Sequence, residues 1–216
     1  MVWITSRCAG ANMLSALRTR MQLDSLPSWP HVMLSHQTPT GATTFGYLSA
    51  VVSAEHGYFG GYLLISPLGR PVEFHCTAPV RPSRAQEILY GPTLHPYLLG
   101  EQIAGTLLGK AQTKPQIVLT DQPSVLYQRS KIDVPLVLVK RSPANDSSSD
   151  PGQILVSGHL IELAAGYSAD LHAAIALLNK LADRVDLPEP FDRIHEAIRE
   201  AQRIGERGLE ANGQAA

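Results

Sequence analysis

The side chains able to do acid–base, metal or phosphate chemistry gather between positions 73 and 121 of the chain. Glu73, His75 and Thr77 fall on one face of an alternating strand, Val72 to Val80 (VEFHCTAPV). An acid and a histidine two residues apart can act as a base and its orienter; the same spacing also makes the solvated face of a half-buried sheet. The densest segment is Thr77 to Glu101 (TAPVRPSRAQEILYGPTLHPYLLGE), with Arg81, Arg84, Tyr90, His95, Tyr97 and Glu101 set among prolines and glycines. Polar side chains on a loop at the end of a sheet are where ligands usually sit. Arg81, Arg84, Tyr90, His95 and Tyr97 are therefore the candidate ligand-binding residues. Asp121 follows the apolar run PQIVLT. An acid at the carboxyl end of a parallel strand suits a metal or a phosphate-bearing ligand, and it can equally cap the next helix.

Other polar residues offer less. His195, between Ile194 and Glu196, is expected on a helix surface. His159 and His172 have no evident partner, and Cys76 lies on the apolar face of its strand. The chain lacks G-x-S-x-G, H-E-x-x-H, G-x-x-x-x-G-K-[ST] and G-x-G-x-x-G. Its two cysteines, Cys8 and Cys76, show no C-x-x-C spacing, which argues against a structural zinc site and for a reducing compartment. A cytoplasmic protein is expected.

The elements that must position these residues follow from the hydrophobic pattern. With 44% hydrophobic residues, 6% aromatics and 216 residues, the chain can bury a core built on Leu, Ile, Val and Ala. A formal net charge of −1 (18 basic, 19 acidic) leaves no general footprint for nucleic acid or an anionic membrane. No apolar run reaches the ~18 residues of a membrane span. Residues 1–42 read as a poorly ordered arm; Arg7, Arg18 and Arg20 without an acid before Asp24 leave a targeting segment as the other reading. Thr43 to Ala54, Tyr58 to Ser66 and Val72 to Val80 are three strands joined by short turns, an antiparallel meander. Gly60-Gly61 in the second marks close packing or a bulge.

Ser83 and Gln86 form a capping-box pattern that opens a short helix ending near Tyr90. Pro96 opens a longer helix to about Ala111, whose Gly100, Ala104, Gly105 and Gly109 suit close packing on the sheet. Pro115–Thr120 and Val134–Lys140 are continuous apolar strands around a helical connection, a βαβ unit. A core domain over 43–140, a flexible linker over 141–153, a helical hairpin over 154–207 packing on the core and a tail over 208–216 complete the expected organisation. The fold class is α/β: a three-stranded antiparallel meander, then a βαβ unit in one mixed sheet of about five strands, with a C-terminal helical hairpin.

This order of elements resembles the ribonuclease H-like fold. Within it, Tyr90 to Glu101 (YGPTLHPYLLGE), PQIVLTD at 115–121 and VPLVLVK at 134–140 are similar in layout to endonuclease V. The resemblance implies Glu101 and Asp121 as ligands of a divalent metal, magnesium or manganese, that activates water on a phosphodiester of nucleic acid. The family also carries an Asp on its first strand, whereas Thr43 to Ala54 contains no acid and Glu55 lies past the strand.

Absent motifs, amphipathic closing helices and a flexible linker together lead to an expected non-catalytic protein. It would bind a partner or ligand through 81–101 and a protein partner or second copy through the C-terminal helices. A metal-dependent phosphodiester hydrolase using Glu101 and Asp121 is the alternative, and an enzyme using Glu73 and His75 a third reading.

Overall fold

A computed structural model describes residues 43–143 and 153–213, and the side chains of 43–140 and 153–203. The expectations for the arm 1–42 and for 144–152 lie outside the described residues. Seven strands form one mixed sheet: β1 (Phe45–Ser53), β2 (Gly57–Ile65), β3 (Pro71–Cys76), β4 (Ile117–Thr120), β5 (Leu136–Pro143), β6 (Gln153–Val156) and β7 (His159–Leu163), in the order β3-β2-β1-β4-β5-β7-β6. β1, β4 and β5 run parallel at the centre, with antiparallel pairs on both sides. Strands buried on both faces need apolar residues at every position, which explains why β4 (IVLT) takes the middle of the sheet.

The α/β class, the meander and the βαβ unit are present as the hydrophobic pattern predicts. Two differences matter. First, the segment after β5 supplies a hairpin, β6–β7, whose two-residue turn Ser157-Gly158 has φ +48° and +84°. Positive φ at both central residues is the hairpin turn that matches strand twist, and it raises the strand count from about five to seven. Second, β3 stops at Cys76, and a register shift between Leu64 and Ile65 breaks its alternation. Val72 therefore packs in a different core layer from Phe74 and Cys76.

Helices cover both faces. On one face lie a π-helical segment (Tyr97–Ile103), α2 (Ala104–Lys110) and a 3-10 helix (Pro123–Lys131), preceded by α1 (Arg84–Tyr90) and a single turn (Leu94–Pro96). Leu99, Ile103, Leu107 and Val125 bury there against Leu48, Tyr62 and Val118. On the other face lie α3 (Leu171–Ala182) and α4 (Glu189–Gly213). Their stripes, Ala174, Leu178 and Leu181 with Phe191, Ile194 and Ile198, pack on Phe45, Tyr47, Leu63 and Leu119. This corrects the expected use of the closing helices as a pairing surface for a protein partner: their apolar stripes are spent on the chain's own core. No helix among the described residues is long and apolar enough to cross a membrane.

Candidate active site at the carboxyl end of β4

β1 and β4 run in register, Leu48 opposite Thr120, so Asp121, the first residue past β4, comes beside Ser49 in the middle of β1. Strand alternation turns Ser49 to the same face as Phe45, Tyr47 and Val51, which is the α4 face. On its other side Ser49 is opposite Gly61 of β2. A Cβ at Gly61 would overlap Ile194 of α4, so the glycine lets the helix lie directly on the strand. His195, the next residue of α4, then reaches Ser49 in the middle of β1.

The outcome is a three-residue cluster. Ser49 Oγ lies 2.7 Å from Asp121 Oδ1 and 2.7 Å from His195 Nε2. His195 Nε2 lies 3.6 Å from Asp121 Oδ2. The Asp121 side chain is 8% exposed and that of His195 26%, while Ser49 is fully buried. The Gln122 amide donates to Asp121 Oδ1 at 3.2 Å. A hydroxyl carries one proton and a carboxylate only accepts, so Ser49 donates to Asp121 and accepts from His195 Nε2–H. In a nucleophilic triad the acid holds the ring nitrogen remote from the serine. Here Asp121 and Ser49 meet the same nitrogen, and Ser49 is inaccessible. Ser49 is a bridging hydroxyl rather than a nucleophile.

The structure brings Asp121 into this cluster together with two residues that the sequence reading passed over. The expected surface position of His195 is corrected: it is half-buried and bonded to Ser49. The sequence carries a signal for it, because Phe191, Ile194, His195 and Ile198 follow the i, i+3, i+4, i+7 pattern of an inward stripe. Ser49 likewise interrupts an inward row of Phe45, Tyr47 and Val51.

The other candidates are placed elsewhere. Arg81 donates to the carbonyls of Glu55, at 2.8 Å, and His56, at 3.2 Å, and so holds the β1–β2 turn. Arg84 pairs with Glu87 on the exposed α1, which the Ser83–Gln86 capping box opens. Tyr90 stacks on Tyr97 with ring centroids 4.5 Å apart, and His95 packs on Tyr58 at 5.6 Å. Glu101 is exposed on the π-helical segment. Glu73 accepts from His75 Nε2 at 2.5 Å and from the backbone N–H groups of Gln112 and Thr113 at 2.7 and 3.1 Å. That carboxylate ties β3 to the end of α2, which makes it a structural clasp. A cavity of about 800 Å³ beside the 3-10 helix is lined by Tyr127, Leu163, Ala165 and Tyr167, away from the cluster.

The chain is an α/β protein with one mixed seven-stranded sheet, whose strand order is like that of the ribonuclease H-like fold. The layout is weakly similar to that of endonuclease V. Ciona intestinalis endonuclease V, solved with a 23mer DNA containing an inosine followed by a ribo-adenosine, aligns with 77% of this chain and 88% of its own, at 11% identity and a TM-score of 0.47. Human ENDOV aligns with 81% of this chain and 93% of its own, at 14% identity and a TM-score of 0.47. Bacillus subtilis endonuclease V covers 84% of this chain and 88% of its own, at 11% identity and a TM-score of 0.45. No protein-family model and no curated protein matches the chain. The expectation of a non-catalytic binding protein working through 81–101 is thereby corrected: the similar solved structures are endonucleases.

Among the described residues no group of three or more His, Cys, Asp or Glu side chains is placed to hold a metal. Glu101 therefore does not join Asp121 and His195 in one such group. The donors that do converge are one carboxylate, one imidazole and one hydroxyl. A divalent ion of the magnesium type is commonly held by one or two carboxylates together with substrate phosphates and water. Among the described residues the set supplies one carboxylate toward such an ion.

Proposed function

We propose that the chain is a nuclease-like phosphodiester hydrolase centred on Asp121, His195 and Ser49. The convergence of these three side chains beside the carboxyl end of the parallel strand β4 carries the reading. Asp121 would hold one divalent ion jointly with the substrate phosphate, and His195 would complete its site or face the same phosphate. The ion's chemistry there is Lewis-acid polarisation of phosphoryl oxygen and activation of water. His195 would set its imidazole beside the reacting phosphate, and Ser49 Oγ fixes the distance between the ring and the carboxylate. Both polar groups sit largely out of water, where oriented dipoles act most strongly on developing charge.

The test is cleavage of labelled single- and double-stranded DNA and RNA oligonucleotides with magnesium or manganese. Cleavage is expected to fall by about 10³-fold in Asp121→Asn and by about 10²-fold in His195→Ala. No cleavage of any of these, or cleavage unchanged by Asp121→Asn, overturns the reading.

A further inference from the structure

The cavity of about 800 Å³ beside the 3-10 helix falls within the ~300–1,000 Å³ range of small-molecule sites. Residues three apart share a face of a 3-10 helix, so Tyr127 and Ser130 both line it. The turn Ala164–Tyr167 forms another wall, closed by the Tyr167 N–H donating to the Ala164 carbonyl at 3.1 Å, with Gly166 at φ +82°. Leu126 and Leu171 add apolar surface. Tyr127 is 75% exposed and makes no ring contact among the described residues, so the fold does not account for this large aromatic side chain.

The charge of the lining is one-sided. Among the described residues that line the cavity, Glu162 is the one carboxylate and there is no Lys or Arg. Lys140 bonds Glu162 Oε2 at 2.9 Å from outside the lining, and the two side chains stay 35% and 31% exposed. Such a pair is weak, and a carboxylate accepts several donors at once, so Glu162 can face a second cation. Tyrosine rings also present an electronegative face. That of Tyr167 already holds one cation, the Arg129 guanidinium 4.4 Å from its centre. A phosphate or carboxylate ligand finds no positive group in this lining.

We propose that the cavity binds a small organic cation of the trialkylammonium type. A primary ammonium carries three donors that each need an acceptor, and this mostly apolar wall suits them poorly. A trialkylated nitrogen carries the same charge without donors and packs on aromatic faces. Its alkyl groups lie against Tyr127, Leu126 and Leu171, and its charge faces Glu162. The site is separate from the Asp121 cluster and does not rest on the hydrolase reading.

Ligand-observed NMR titration of the full chain with choline, and with its neutral isostere that has carbon in place of nitrogen, isolates the effect of charge. Choline is expected to bind at least about tenfold more tightly than the isostere. Tyr127→Leu should weaken choline binding about three- to tenfold, and Tyr127→Phe, which keeps the ring, should stay within about twofold of wild type. Glu162→Gln should cost about two- to fivefold. With Tyr127→Leu and Glu162→Gln combined, the preference for choline should fall to about twofold or less. The wild-type contrast between the two ligands needs no variant to fold. Four results overturn the proposal: no choline binding at tens of millimolar, equal binding of the isostere, a preference that survives both substitutions, or adenosine bound more tightly than choline, which would make the cavity a seat for a neutral flat ring.

Discussion

Glu73 shows how one buried carboxylate can serve the fold. Burial pushes its pKa up, but hydrogen bonds from the Gln112 N–H, His75 and the Thr113 N–H outweigh burial and hold it below the ordinary carboxylate value. A depressed pKa means that folding favours the ionised form. Its contribution is complete above the unfolded value and is lost as pH falls through the folded one. Urea melts across a pH series should show wild type weakening through the acidic range and Glu73→Gln with a flatter profile there. At neutral pH Glu73→Gln should cost about 2 kcal/mol, because one amide oxygen cannot replace the carboxylate's several bonds. The capping box at Ser83 and Gln86 was legible at this scale because its bonds span three residues. The clasp at Glu73 was not, since its partners lie 39 and 40 positions away.

The placing of α4 decides the site at the scale of elements. Gly60 and Gly61 face opposite sides of β2: a Cβ would strike Ile103 and Leu107 at one and Ile194 at the other. The doublet predicts close packing, and the structure adds that helices press on it from both sides. Gly61→Ala should push α4 outward and separate His195 from Ser49. Loss of about tenfold to 10²-fold in the proposed cleavage is expected, with a stability loss of about 1–3 kcal/mol. Gly109→Ala is the control, since a Cβ there meets nothing within 4 Å. It should leave cleavage unchanged and raise stability by up to about 1 kcal/mol through helix propensity. Thermal melts and kinetics on both variants separate the two effects. Among the small residues of the helical run, Ala104 is buried in the core layer against the sheet, as expected, and Gly100 is not. Gly100 accommodates the Ser124 backbone of the 3-10 helix, so the close approach there is between helices and not onto the sheet.

Across the whole molecule, the two helical layers are joined around the sheet by Arg129. Its guanidinium donates to both oxygens of Asp170, at 2.6 and 3.0 Å, and lies 4.4 Å from the centre of the Tyr167 ring. The two charged side chains are only 14% and 13% exposed. Arg129→Ala leaves Asp170 without its partner and should cost about 3 kcal/mol. Calorimetry should then show a melting temperature lower by about 6–12 °C for a chain of this size. By itself the sequence determined the α/β class, the meander, the βαβ unit, the capped helix and the strand that ends in Asp121. Those features rest on periodicity, turn residues and caps, which act over a few neighbours. Only the tertiary structure decided that Ser49 meets Asp121, 72 residues away, and His195, 146 residues away. That meeting needs the parallel register of β1 with β4 and the seating of α4 on Gly61, and each is fixed by packing between distant segments that no local pattern encodes.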